Sequence, residues 1–364
     1  MAENKVKQIY EFKQSIWLDF IDRQIMRSGK LKQMIEEDGL RGVTSNPAIF
    51  EKAISSSADY DDDIKRPGQS ELTDEQLFFE LAISDIQKAA DIFEPVYNDK
   101  VVGADGYVSL EVSPALALDT EGTISQALEL WKKVDRKNVM IKIPGTLPGL
   151  PAIRKAIGEG LNINVTLLFG LERYEAVTEA YISGLEDRLQ NDQPVDHFAS
   201  VASFFLSRID LLVDPMLEEK GLKDLKGETA IALAKKAYEI YQRVFSGERW
   251  QKLEERGAKP QRLLWASTSS KDPASRDTKY VEALIGRDTV DTAPLETINA
   301  FRDHGVVNAT LETGLEIAGN LLRQLKNAGI DLEKVAQQLE EEGIKKFNQP
   351  FETMLSAISE KRKG

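Results

Sequence analysis

A lysine stands alone in the apolar run Val139, Met140, Ile141, Lys142, Ile143, Pro144, which otherwise reads as a buried strand. An ammonium in such a place loses hydration, and that loss favours the neutral amine. A positioned neutral amine adds to carbonyls, so Lys142 points to Schiff-base chemistry. The alternative is a strand-end lysine whose stem is buried while its head reaches water. Polar residues in other apolar runs weigh between the two. Asp19 lies within Trp17, Leu18, Asp19, Phe20; Asn46 follows Thr44 on the face opposite Val43; Glu111 and Thr166 close similar runs. Five such residues on five runs, one of them a lysine, favour chemistry over five separate structural hydrogen bonds.

The chemistry open to this set is narrow. Lys142 adding to a ketone gives a carbinolamine, and loss of water from it needs a proton donor and acceptor nearby. Glu111, through a water shared with Thr166, suits that step. Cleavage of the carbon–carbon bond beside the iminium needs a base for a substrate hydroxyl, and Asp19 suits it. The iminium is the electron sink, so the expectation is no cofactor and no metal. Phosphorylated sugar substrates would need cations near the site. Arg208, after Phe204-Phe-Leu-Ser207, and Lys271, after Ser267-Thr-Ser-Ser270, are placed for this, with surface ion pairing as the alternative use of each.

Elements that could position these groups follow from the alternation of short Val/Ile/Leu/Phe-rich runs with longer amphipathic stretches, the pattern of parallel α/β folds. Eight strands are expected: Ser15 to Ile21, Gly42 to Pro47, Tyr107 to Pro114, Val139 to Pro144, Asn162 to Phe169, Ser200 to Ser207, Arg262 to Thr268 and Asp288 to Ala293. Eight runs, each followed by a helical pattern, favour a closed (β/α)8 barrel with additional helices, in one domain over residues 1–364. Such barrels hold their chemistry at the carboxyl ends of the strands, where Asn46, Glu111, Lys142 and Thr166 fall; Asp19 reads as mid-run and is less well placed.

Strand periodicity puts Val108, Leu110 and Val112 toward the helices and Tyr107, Ser109, Glu111 and Ser113 inward. In the fifth strand Ile163, Val165, Leu167 and Phe169 form the apolar face, and Asn162, Asn164, Thr166 and Leu168 the other. Thr73 and Gln76 form a capping box for a helix carrying Leu77, Phe78, Leu81 and Ile86. The stretch from Asp210 to Lys259 should hold two or more helices, including one with Leu233, Ala237, Ile240, Tyr241 and Val244 on a face. Helices from Leu311 onward, with Gly329 and Gly343 as stops, should pack across the barrel. The segment Ser55 to Gln69, with Asp61 to Asp63 and Pro67, reads as an acidic surface loop.

Bulk properties narrow the classes. A formal net charge of -13 argues against a nucleic-acid partner. With 0 cysteines, disulfides and thiolate chemistry are excluded, and a reducing compartment is compatible. His197 and His304 lack a second ligand at zinc-site spacing. The start, Met1 to Gln14, lacks the apolar core of a signal peptide, and no run approaches the roughly 18 apolar residues of a membrane span. The expectation is a cytoplasmic protein without membrane contact, a monomer or homodimer.

With these residues in view, the chain resembles the transaldolase family of class I aldolase barrels. The resemblance rests on Gly42-Val-Thr-Ser-Asn-Pro-Ala-Ile-Phe50, Val108-Ser-Leu-Glu-Val112, Ile141-Lys-Ile-Pro-Gly-Thr146, Asn162-Ile-Asn-Val-Thr-Leu-Leu-Phe169 and Val201-Ala-Ser-Phe-Phe-Leu-Ser-Arg208, in family order. It implies Lys142 as Schiff-base lysine, Asp19 as acid/base for bond cleavage, Glu111 with Thr166 as the water-handling pair, Asn46 and Ser203 on substrate hydroxyls and Arg208 on phosphate. It further implies transfer of a dihydroxyacetone unit between sedoheptulose 7-phosphate and glyceraldehyde 3-phosphate, giving erythrose 4-phosphate and fructose 6-phosphate, in the pentose phosphate pathway. Two departures stand out. Ala266-Ser-Thr-Ser-Ser-Lys271 replaces the frequent Ala-Ser-Phe-Arg, which puts direct phosphate contact by Lys271 in doubt, and Pro144-Gly145 stands where Ala-Ser is common. Both, with the chain's length, resemble the longer bacterial and plant-like subgroup. A related Schiff-base aldolase and a catalytically silent sugar-phosphate-binding barrel are the competing readings.

Overall fold

The computed structural model describes residues 4–66, 71–99 and 105–363. Eight parallel strands close into a barrel in chain order: β1 Gln14–Asp19, β2 Gly42–Thr44, β3 Tyr107–Glu111, β4 Val139–Pro144, β5 Ile163–Leu168, β6 Ser200–Phe205, β7 Arg262–Ala266 and β8 Thr289–Ala293. Ladder pairing of β1 with β8, from Gln14 opposite Thr289 to Leu18 opposite Ala293, completes the ring. All eight expected runs become strands, most of them shorter at the carboxyl end. The second shows why. Asn46 leaves the ladder to cap the helix Pro47–Ser55, its side chain accepting from the Ile49 N–H at 3.1 Å, and Pro47 sits at the first helical turn, where a missing N–H is harmless.

Two details of strand geometry change the expected picture. Asp19 is the last residue of β1 rather than a mid-strand one, which places it at the barrel mouth. In β5 the face assignment breaks down at its end. Leu167 takes a φ of 60°, and the register with β6 shifts between Val165 and Leu168. One residue out of register reverses the faces beyond it. Leu168 therefore joins Val165 on the side next to Gly145, while Leu167 and Phe169 turn toward the C-terminal helix.

The helical expectations largely hold. The capping box is present, with Thr73 and Gln76 exchanging hydrogen bonds of 3.1 and 2.9 Å at the start of Asp74–Tyr97. Between β6 and β7 lie Ser207–Glu219, Thr229–Val244 and Glu248–Glu254. The acidic segment departs from the loop reading. Asp61–Ile64 forms a helical turn between buried Tyr60 and Ile64, and its aspartates pair inward, Asp63 with Arg23 at 2.6 Å and Asp61 with Lys361 at 2.5 Å. Pro67 and Gln69 lie outside the described residues, as do Met1, Ala2 and Glu3 of the N-terminal segment. Among the described residues, no helix is long and apolar enough to cross a membrane.

A single 32-residue helix, Leu332–Lys363, crosses the barrel mouth. Gly343 does not stop it. The glycine lies inside the helix, and a Cβ there would meet Leu167 Cδ2 at 3.0 Å, so its small size permits close approach to β5. Gly329, with φ 79°, does end the preceding helix, Leu315–Asn327. Near β5 the long helix is held by the Arg173–Glu340 ion pair, Arg173 also donating to the Gly145 carbonyl at 2.8 Å. At its far end Arg362 pairs with Asp74 at 2.6 Å, and Phe351 packs edge-on against Phe78 with ring centres 5.5 Å apart.

The contact at Gly343 gives a testable pair of substitutions. Gly343→Leu should lower stability by about 1–3 kcal/mol through overpacking against Leu167, read as a lower thermal midpoint. Gly343→Ala should lie within about 1 kcal/mol of the parent, because better helix propensity offsets a contact that the tip of Leu167 can relieve.

Candidate active site

Lys142 lies in β4, in ladder register with Glu111 of β3 and Asn164 of β5. Its side chain is 5% exposed and that of Glu111 is 4%, with Lys142 Nζ 3.5 Å from Glu111 Oε2. The ammonium also donates to the Ser45 carbonyl oxygen at 3.1 Å. The Phe347 ring, from the C-terminal helix, has its centre 5.9 Å from Nζ. The snorkelling alternative does not describe this lysine: its head is enclosed by a carboxylate, a carbonyl and an aromatic ring, within the mouth of the barrel.

Burial sets the carboxylates. Desolvation pushes the Glu111 carboxyl up to about 7, with the attraction of Lys142 opposing it. Because its ordinary value is 4.5, the folded state retains a proton that the unfolded chain releases. This group's contribution to stability therefore falls as pH rises from about 4.5 through about 7. Desolvation raises Asp19 as well, against the opposing influences of Lys142 and of a Thr44 hydroxyl that donates to Asp19 Oδ1 at 2.7 Å. Thr44 in turn lies 2.7 Å from the Thr292 hydroxyl, which fixes its position across the β1–β2–β8 corner.

Neither oxygen of Glu111 makes a hydrogen bond to protein, and nor does the Thr166 hydroxyl, although all are buried. Buried polar atoms of this kind usually take a partner from water or substrate. Below them a tight polar layer is complete in itself: Ser203 Oγ donates to Asn164 Oδ1 at 2.7 Å, and Asn164 Nδ2 donates to Ser109 Oγ at 3.0 Å. The contrast separates a satisfied floor from an open upper layer.

Asp19, Asn46, Lys142, Ser203 and Arg208 line one cavity of about 160 Å³, with Phe205 and Phe347 as its aromatic walls. Arg208 follows β6 and lies under Phe347, its guanidinium carbon 5.9 Å from the ring centre; its Nη1 is buried without a hydrogen-bond partner. Burial lowers the Arg208 pKa from its usual value. Glu111 and Thr166 flank Lys142 through the strand register, since Thr166 stands opposite Pro144. Lys271 stands apart. It lines an adjoining cleft of about 660 Å³ that shares Asp19 and Asn46, and its ammonium donates to Ser269 Oγ at 2.6 Å.

The sequence reading left out several residues of the site. Thr44 and Asn164 carry a recoverable signal, each lying two positions before a chosen residue on the same strand face. Ser45 contributes only its backbone carbonyl, which no residue type announces. Lys346 and Phe347 come from a helix about two hundred positions beyond Lys142, and nothing local to them marks a site.

A barrel with a buried lysine beside one carboxyl group and on one cavity with a second, with an aromatic ring near its head, is equipped for carbonyl addition and proton shuttling. Comparison with known proteins agrees. The family model described as Transaldolase/Fructose-6-phosphate aldolase matches residues 16–358. The chain is 46% identical to a protein named Transaldolase from Trichodesmium erythraeum, over 100% of this chain and 99% of the relative. It is 47% identical to Transaldolase 2 of Nostoc punctiforme with the same coverage, and 45% identical to Transaldolase of Saccharopolyspora erythraea over 95% of this chain and 94% of that protein. With the match extending over almost its whole length, the chain belongs to the transaldolase/fructose-6-phosphate aldolase family.

Proposed function

We infer that Lys142 carries the covalent intermediate of a transaldolase reaction, and the enclosure of its ammonium beside Glu111 is the observation that carries this reading. Family membership makes the chain a transferase acting on sugar phosphates in the pentose phosphate pathway. The dihydroxyacetone unit passes from sedoheptulose 7-phosphate to glyceraldehyde 3-phosphate, leaving erythrose 4-phosphate and forming fructose 6-phosphate. The roles proposed for individual residues are those the family resemblance implies, with the geometry of the site in their support.

Lys142 Nζ, after passing a proton to a neighbouring carboxylate, adds to the ketose carbonyl, giving a carbinolamine. Glu111, held near neutrality by burial, is protonated for part of the population at pH 7 and can supply the proton on which water departs. Thr166, with its unpartnered hydroxyl, would hold that water with Glu111. Asp19, at the end of β1 on the cavity that Lys142 also lines and raised by burial, takes the proton from the substrate hydroxyl as the adjacent carbon–carbon bond breaks. The electron pair of that bond flows into the iminium, leaving an enamine on Lys142 and a free aldose phosphate. Reversal with the second aldose completes the transfer. Asn46 would hold a substrate hydroxyl, Ser203, whose proton is given to Asn164, could only accept from one, and Arg208 would hold phosphate; all three line the cavity. Lys271, in the adjoining cleft, remains a candidate for a substrate bound there. We further propose that residues 1–364 form one catalytic domain, working in the cytoplasm as a monomer or homodimer.

The competing aldolase reading predicts release of free dihydroxyacetone at a rate comparable to transfer. The roof formed by Phe347 over Lys142 supports transfer instead, because it restricts water at the enamine. Supplied with fructose 6-phosphate, the enzyme should therefore form sedoheptulose 7-phosphate from added erythrose 4-phosphate far faster than it liberates dihydroxyacetone. Equal rates would favour the aldolase. Lys142→Met should abolish both activities.

Glu111 provides a pH test. If its acid form serves carbinolamine dehydration, kcat should descend above a midpoint near pH 7. Glu111→Gln should lose that limb and lower kcat by about 10²–10⁴-fold, and an unchanged limb would assign it to another group.

A further inference from the structure

The cavity around Lys142 contains three cations, Lys142, Arg208 and Lys346. Lys142 is committed to the carbonyl, which leaves Arg208 and Lys346 for a dianionic phosphate. Arg208 has a buried Nη1 with no hydrogen-bond partner, so its fork is available to an oxyanion. Lys346 comes from the C-terminal helix, immediately before Phe347, and its ammonium pairs with Glu342 one turn earlier at 3.2 Å. Glu342 is also the carboxylate whose field reaches Arg208, and it accepts a 2.9 Å hydrogen bond from Gln338. One carboxylate thus interacts with both cations.

A half-exposed pair one helical turn apart is weak, because both heads are solvated and the lysine stem is mobile. A phosphate dianion held already by Arg208 offers Lys346 a stronger partner than Glu342 does. We propose that Lys346 is the second cation of the substrate-phosphate site, and that Glu342 holds it as an internal anion until phosphate takes its place. The proposal rests on the transaldolase reading for the identity of the substrate. It assigns the C-terminal helix a direct part in recognising phosphate, beyond covering the barrel mouth.

The two residues should act in opposite directions, which a general loosening of the helix would not produce. Lys346→Gln should raise KM for fructose 6-phosphate and weaken competitive inhibition by inorganic phosphate by about five- to tenfold, the size of one charge-assisted hydrogen bond at a half-exposed position. KM for unphosphorylated glyceraldehyde as acceptor should rise less than KM for fructose 6-phosphate, and Lys346→Arg should restore phosphate binding. Glu342→Gln should tighten inhibition by inorganic phosphate. The proposal is overturned if Lys346→Gln leaves phosphate inhibition unaltered, if it raises KM for glyceraldehyde equally, if Lys271→Gln alone produces the loss, or if Glu342→Gln weakens phosphate as Lys346→Gln does. Titration calorimetry of inorganic phosphate with the same variants requires no turnover, so it tests Lys346 and Glu342 even if transfer activity is absent and the functional reading fails.

Discussion

The enclosure of the Lys142 ammonium against the Glu111 carboxyl, 3.5 Å away inside a closed barrel, is the constraint around which the site is organised. Neither group would occupy such a position alone, because removing one partner of a buried pair typically costs about 3–5 kcal/mol. Together they are held in place by backbone pairing, since Glu111 and Lys142 are opposite each other in the β3–β4 ladder. Burial then does chemical work. It holds Glu111 at about 7, where a carboxyl can both give and accept a proton near neutrality.

Two supports complete the arrangement. Beneath, Ser109, Asn164 and Ser203 satisfy one another's hydrogen bonds, giving the cavity a rigid polar floor. Above, the C-terminal helix closes the mouth. Its approach depends on the glycine at 343 and on the β5 irregularity that turns Leu167 toward it. Ion pairs hold the helix near both ends, Glu340 with Arg173 and Arg362 with Asp74, so Phe347 and Lys346 are carried to the cavity on a braced element. The same Arg173 binds the carbonyl of Gly145, directly after the strand that carries Lys142.

Much of this was legible in the sequence because period-two patterning survives in parallel strands that have polar residues facing inward. All eight strands, the capping box at Thr73 and the polar face of β3 could be read from it. Asp19 reads as mid-strand because Phe20 and Ile21 look like strand, yet both lie past the end of β1. The failures have physical causes. An αL residue at Leu167 reverses a strand face, and leucine does not advertise that conformation. Gly343 looks like a stop, but it is a site of close packing within a continuous helix. The aspartates at 61 to 63 resemble a solvated loop, yet partners for two of them, Lys361 and Arg23, arrive from elsewhere in the chain. Lys346 and Phe347 enter through tertiary packing alone.

The proposed reaction requires that Lys142 carry the covalent adduct. Incubation with fructose 6-phosphate, reduction with borohydride and peptide mapping by mass spectrometry test it directly. The expected product is a reduced three-carbon unit on Lys142 and on no other lysine, formed with loss of activity. An unmodified Lys142 in an active preparation, or an adduct on a different lysine, would contradict it.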